Sequence, residues 1–228
     1  HPPCMVQYTY MKVRLTKYQF LAVGVGLILC LFLYVLKTKA IPVPFISQAP
    51  YGNWLQPWQD ACEEASIVMI DAYYQGVTLD KPVAKKELLE LFAQKERLYG
   101  RSLDENAEKI VGLIHNFFSW DAEVVEDPSL EMIKRELDDD HPVIAPLYGK
   151  ALKNPYFKNG GPDYHVIVIS DYDEERQEFI TNEPGTQHGE SYRYSYTTIM
   201  DALHDYLPRN RTKFGKKVII ITRPSNPN

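Results

Sequence analysis

The chain has 228 residues, a formal net charge of −5 and charged side chains of both signs, 25 basic and 30 acidic. This balance offers no basic footprint for nucleic acid. The hydrophobic share of 45% is enough for one substantial core and argues against disorder.

Residues 1–10 carry no pattern, and Met11 opens MKVRLTK, which reads as a natural start behind a mis-called or appended leader. Residues 20–36, FLAVGVGLILCLFLYVL, then run without charge or proline. That is the low end of a membrane span, extended at the interface by Tyr18. Lys12, Arg14 and Lys17 precede it, and Lys37 and Lys39 follow. A short basic start favours an inside N-terminus and an exported C-terminal domain. The following VLKTKA is a poor signal-peptidase site, and Cys30 is preceded by LIL rather than the small residues of a lipoprotein. The expectation is a cytoplasmic leader over 1–17, a single-pass anchor over 18–36 and an extracytoplasmic domain over 37–228.

Prolines in IPVPFISQAP force extended or turn geometry, and residues 43–46 read as a short strand entering the domain. Residues 65–75 read as a buried helix with Ala65, Val68, Met69 and Ala72 on one stripe, stopped by Gly76. LDKP at 79–82 opens a second helix, with Leu88, Leu89, Leu91 and Phe92 apolar. A third spans 105–118, and a shorter amphipathic helix spans 129–137. From His141 the pattern turns to strands. Residues 143–148 contain Pro146, which suggests an edge or bulged strand. Residues 165–170 and 178–181 form a hairpin around DEER, residues 196–206 a short helix and residues 217–222 a last strand. Helices first and an antiparallel sheet second is an α+β layout.

Residues 56–66, QPWQDACEEAS, place one cysteine where a loop becomes a helix. The other two cysteines, Cys4 and Cys30, lie in the first 39 residues, so the domain holds no internal disulfide partner for Cys62. A thiol at a helix start meets unpaired N–H groups and the positive end of the dipole, which lowers its pKa and favours a nucleophile; the plainer alternative is a small buried hydrophobe. Glu63 and Glu64 follow directly and oppose thiolate formation.

A nucleophilic thiol needs a base, a group to orient that base, and donors for the oxyanion. Among six histidines, His165 begins a very apolar strand behind the GGPDY loop, where it can reach a cleft. If the hairpin turn centres on residues 173–177, residue 165 faces residues 182–185, with cross-strand Cβ atoms about 4.5–5.5 Å apart. Asn182 and Glu183, at the start of NEPG, then stand beside the imidazole, and either can accept from it. The Cys62 N–H and the Gln56 amide are the oxyanion donors, with Gln59 and Gln48 as competitors. Trp54 and Trp58 wall the cleft or fill the core. No Cys/His pairs sit at metal-ligand spacing and no glycine-rich phosphate loop is visible, so neither metal nor cofactor is expected.

PFISQAPYGNW, then Gln56 and DACEEAS leading into a helix, then YHVIVISDYD and ITNEPGT resemble the papain-fold cysteine peptidases of family thirty-nine, in the stand-alone branch similar to the double-glycine leader peptidases. The resemblance covers residues 41–222 and preserves the family's order of motifs. It implies a papain-like fold with Cys62 as nucleophile, His165 as general base and acid, and Gln56 as oxyanion donor. The family's usual orienting Asp before Pro-Gly is here Glu183, one methylene longer, while Asn182 could act as an asparagine does in papain. Bacteriocin exporters that carry the classical leader peptidase also carry transporter domains, which this sequence does not show. The expected function is a membrane-anchored thiol peptidase acting on peptide or amide bonds of a peptide or protein substrate. The alternatives are the same fold without activity, binding a peptide or cell-wall ligand, and an enzyme cutting or transferring a cell-wall amide.

Overall fold

The structure is a computed structural model that describes residues 40–101 and 104–225. The expected leader and membrane span therefore lie outside the described residues. Among the described residues no helix is long and apolar enough to cross a membrane.

Helix ends follow signals in the sequence. Helix α1, Cys62–Gln75, stops at Gly76, whose left-handed φ of 66° lets its N–H return to the carbonyls of Ala72 and Tyr73. Helix α2, Lys81–Tyr99, starts where Asp80 accepts from the Val83 N–H, with proline in the first turn. Asn106 caps α3, Ala107–Phe117; Ser129 caps α4, Leu130–Asp138; Ser195 caps α5, Tyr196–Ala202. The strands are β1 Asp121–Glu126, β2 Val143–Tyr148, β3 Tyr164–Asp173, β4 Glu178–Asn182, β5 Tyr192–Ser195 and β6 Val218–Arg223. They form one antiparallel sheet in the order β1-β6-β2-β3-β4-β5.

Both faces of the sheet are covered. One core joins α1, α2 and α3 to Ile144, Val166, Val168 and Ile220. The other joins α4 and α5 to Val143, Ala145, Leu147, Ile167, Ile169 and Ile219. Double coverage explains why VIAPLY, HVIVIS and VIII are continuous apolar runs rather than alternating ones.

The α+β expectation holds, with four differences in detail. Residues 43–46 are irregular rather than a strand; they are held from the side, with Asn182 Nδ2 donating to the carbonyl of Val43 at 2.9 Å. Strand β2 lies between β6 and β3, not at an edge. Pro146 is tolerated there because β6 pairs only with Val143 and Ile144; beyond them the Pro146 carbonyl accepts from the His204 N–H at 3.1 Å. Strands β1, whose DAEVVE is half acidic, and β5, which has only four residues, were not expected. The last helix ends at Ala202, four residues early.

Helix α1 begins with buried charge. Glu63 and Glu64 are fully buried, and Lys95 of α2, itself buried, pairs with Glu64. Burial pushes both carboxyls up, and the Lys95 ammonium opposes it. Removing one member of a buried pair costs about 3–5 kcal/mol, so Lys95→Met should be strongly destabilised at pH 8. A carboxyl raised in the folded state contributes stability below its unfolded value and loses it as pH rises through the folded value. The deficit of Lys95→Met should therefore shrink at pH 5, where the carboxyls take up protons. Urea melts at the two pH values test this; equal deficits would show that lost packing, not charge, is responsible.

Candidate active site

Cys62 is the first residue of α1, behind a helix start at Ala61 that no side chain caps. The sulfur is not presented to solvent: Cys62 is 3% exposed, and its thiol donates to Glu63 Oε2 at 3.2 Å. Glu63 Oε1 accepts from the Glu105 N–H at 2.8 Å, which ties the start of α1 to the approach to α3. Tyr164 Oη donates to the Glu105 carbonyl at 2.9 Å and Lys109 Nζ to Glu105 Oε2 at 2.7 Å, closing a network beneath the thiol. The helix start alone predicts a lowered thiol pKa. Here burial pushes the thiol well up, and the charges of Glu63 and then Asp104 add to it. Burial, followed by the Asp60 charge, lifts Asp104 to about 7.

The base side comes from β3 and the end of β4. His165, at 2% exposure, donates from Nε2 to Glu183 Oε1 at 2.5 Å. The Gly185 N–H donates to the same oxygen at 2.8 Å, and Tyr194 Oη donates to Oε2 at 2.9 Å. The register explains the pairing. Val168 faces Asn182 and Ile169 faces Thr181, so continuing the ladder brings residue 165 to Gly185, within the expected window. Gly185 is required by space: a Cβ there would stand 2.9 Å from both Glu183 Oε1 and His165 Cε1. Asn182 does not reach the imidazole. Its amide nitrogen donates to backbone carbonyls of residues 43 and 44, and its oxygen accepts from the Ser191 N–H.

Cys62 and His165 line one cavity of about 650 Å³. Gln48, Trp54, Gln59, Asp60 and Asp104 stand on its wall with the thiol; Tyr156, Phe157, Lys158 and His188 stand there with the base. Phe157 meets the His165 ring edge-on at 5.3 Å, and His188 stacks on Tyr156 at 4.6 Å. The NEPG turn also positions the opposite wall, because the Pro184 carbonyl accepts from the Gln48 N–H at 3.0 Å and from Ser47 Oγ at 3.2 Å.

Gln56 is the expected site residue that the fold does not bring in. It is exposed, is not among the residues that line the cavity, and donates its amide to Asp60, which does line it. Gln48 takes the place on the wall: it is buried, its Nε2 donates to the carbonyls of Trp58 and Gln59, and its Oε1 has no partner among the described residues. Trp54 lines the cavity, whereas Trp58 packs edge-on against Phe92 at 5.7 Å. Tyr194 and His188 had no signal in the sequence beyond a polar stretch around a turn.

The Glu63–Cys62 contact has a measurable consequence. Glu63→Gln keeps the shape and can still accept from the Glu105 N–H, but it turns a sulfur-facing acceptor into an amide donor. The pH midpoint for alkylation of Cys62 by iodoacetamide should fall, and the rate at pH 7 should rise several-fold. An unchanged midpoint would show that burial alone governs the thiol.

The sequence matches the Peptidase_C39 like family over residues 40–213. No curated protein matches it. Among solved structures, it is similar to the crystal structure of a Bacillus anthracis protein described as a C39-like peptidase, with 15% identity and a TM-score of 0.52. That match covers 81% of this chain and 97% of the other, and at such identity it speaks for the fold. The family match runs from the irregular entry segment through the thiol, the imidazole and the NEPG turn, and on these grounds the chain belongs to the Peptidase_C39 like family of papain-like cysteine peptidases.

Proposed function

We propose that the protein is a cysteine peptidase that cuts peptide or amide bonds with Cys62 as nucleophile, His165 as base and acid, and Glu183 as the group that orients the imidazole. The observation that carries this reading is the shared cavity: the thiol and an imidazole fixed by a fully buried carboxylate both line it. With Nε2 held by Glu183, Nδ1 of His165 is the nitrogen left to take the thiol proton.

The thiol would exchange Glu63 for His165 as substrate enters. Sulfur then attacks the scissile carbonyl, and the imidazolium returns its proton to the departing amine. Water, deprotonated by the same imidazole, releases the acyl group and restores the thiol. Cys62 lies at the start of α1, where backbone N–H groups have no helical acceptor, so its own N–H is suited to the oxyanion. Gln48 stands on the cavity wall but spends both amide hydrogens on the carbonyls of Trp58 and Gln59, so the Cys62 N–H is the oxyanion donor this reading relies on.

A second reading, a binding module without turnover, draws on one observation: the resting thiol is buried and bonded to a carboxyl rather than to the imidazole. Fluorogenic peptide libraries separate the two. Cys62→Ala should abolish cleavage, and Glu183→Gln should lower it by about 10²–10⁴, the scale on which a base loses its orienting carboxylate. Asn182→Ala should lower stability, but the folded fraction should keep near-normal turnover. Cleavage by Cys62→Ala at the wild-type rate would end the peptidase reading, and loss of activity in Asn182→Ala with full activity in Glu183→Gln would reverse the assignment of the orienting group.

We also place the domain on the outer face of a membrane, on the strength of the charge-free run over residues 20–36 and the basic residues before it. Full-length protein should stay with membranes through alkaline carbonate extraction. Its release into the supernatant would refute an integral anchor.

A further inference from the structure

We infer that Tyr194 is a positioning residue for the His165–Glu183 pair, and that Asn154 aims its hydroxyl. The inference rests on the thiol–imidazole reading above and assigns the tyrosine a part in it.

A carboxylate without solvent contact must find protein donors for its charge or give the charge up. Glu183 is fully buried. One of its oxygens is shared between His165 Nε2 and the Gly185 N–H, and the other takes the Tyr194 hydroxyl. Tyr194 thus supplies the donor on the side away from the imidazole. A tyrosine hydroxyl has one proton and a free rotor, and here the rotor is fixed. Asn154 Nδ2 donates to Tyr194 Oη at 2.6 Å, and an amide nitrogen can only donate, so the tyrosine proton is left to point at Glu183. Burial and the Glu183 charge raise the tyrosine far above its ordinary range, so it remains a donor at any working pH.

The chain of bonds continues to the cavity. Asn154 Oδ1 accepts from the Tyr156 N–H at 2.9 Å, and the Asn154 carbonyl accepts from the Phe157 N–H at 3.1 Å. Phe157 then covers the edge of the imidazole. Tyr194 therefore links the loop that walls the cavity to the carboxylate that orients the base. Other titratable groups around this site are Tyr192 of β5, Lys158, His188 and Tyr156 of the wall, and Cys62, Asp60, Asp104 and Tyr164 opposite. None of them has a hydrogen bond to Glu183 among those described.

A merely structural tyrosine would serve as well without its hydroxyl. Tyr194→Phe keeps the ring and its packing and removes one bond to a charged group. It should lower kcat about tenfold to a hundredfold with KM within twofold. Iodoacetamide alkylation of Cys62 across pH gives the second readout and needs no substrate. The carboxylate acts on the thiol only through the imidazole, so loss of the hydroxyl should displace the midpoint of the wild-type profile in Tyr194→Phe, where a tyrosine that only packs would leave it unchanged. Asn154→Ala, which frees the rotor while leaving the tyrosine in place, should shift the profile in the same direction by less. Superimposable profiles and kcat values for wild type, Tyr194→Phe and Asn154→Ala would overturn the assignment and leave the thiol–imidazole reading intact. A wild-type profile identical to that of His165→Ala would overturn both.

Discussion

One constraint orders the molecule: a carboxylate without solvent contact must be met by a donor on every side. Glu183 is that carboxylate, and much around it follows. The strand has to end there so that Pro184 and Gly185 can turn back, presenting the Gly185 N–H to the same oxygen as the imidazole. The residue after the proline has to be glycine, because a side chain would strike the imidazole. The same turn offers the Pro184 carbonyl to Gln48 and Ser47, so one bend fixes the base and locates the wall that faces it. Asn182, beside it, stitches the entry segment to the sheet.

The thiol side follows a different logic. Acidic residues in the first turn of α1 agree with the helix dipole, and turning them inward ties α1 to α2 through Lys95 and to α3 through the Glu105 N–H. These bonds seat the helix that carries the nucleophile, and they also surround the sulfur with negative charge and low dielectric. Stability of the helix start and readiness of the thiol are in opposition. The Glu63 hydrogen bond is where the two meet, since a single carboxyl both anchors the helix and holds the thiol proton.

Much of this could be read from the sequence, for physical reasons that differ by element. Helix α2 declares its start through LDKP and α1 its end through Gly76, because caps and left-handed stops are local chemistry. Helices α3 and α4 show through the helical spacing of their apolar residues, in spans that take in the caps Asn106 and Ser129 as helix. Facing strands in a tight hairpin have residue numbers with a nearly constant sum, which brought His165 to the NEPG turn without a structure. Four features lay beyond such reasoning. Whether Asn182 or Glu183 meets the imidazole depends on strand facing at the last residues of a ladder, where a single-residue step reverses the side chain. Gln56 sits six residues before the thiol, but its side chain stays exposed and bonds to Asp60. Gln48, fourteen residues before the thiol in the chain, arrives by tertiary bonds to Pro184. Tyr194 lies on a strand of four residues, too short for periodicity to register.

The sheet separates two hydrophobic clusters, and the reacting groups are divided between them. Cys62 belongs to the cluster of α1, α2 and α3. Phe157 and Tyr194, which enclose the base and its carboxylate, pack with the cluster of α4 and α5 on the other face. Sulfur and imidazole therefore meet across the rim of a partition, each carried by its own body of packed side chains. Interiors packed to crystal-like density transmit volume changes as displacement. A methylene gained or lost deep in one cluster moves one reactant and leaves the other where it was. The tolerance of this site to sequence change is then set less by its own residues than by how evenly the two sides of the partition are filled.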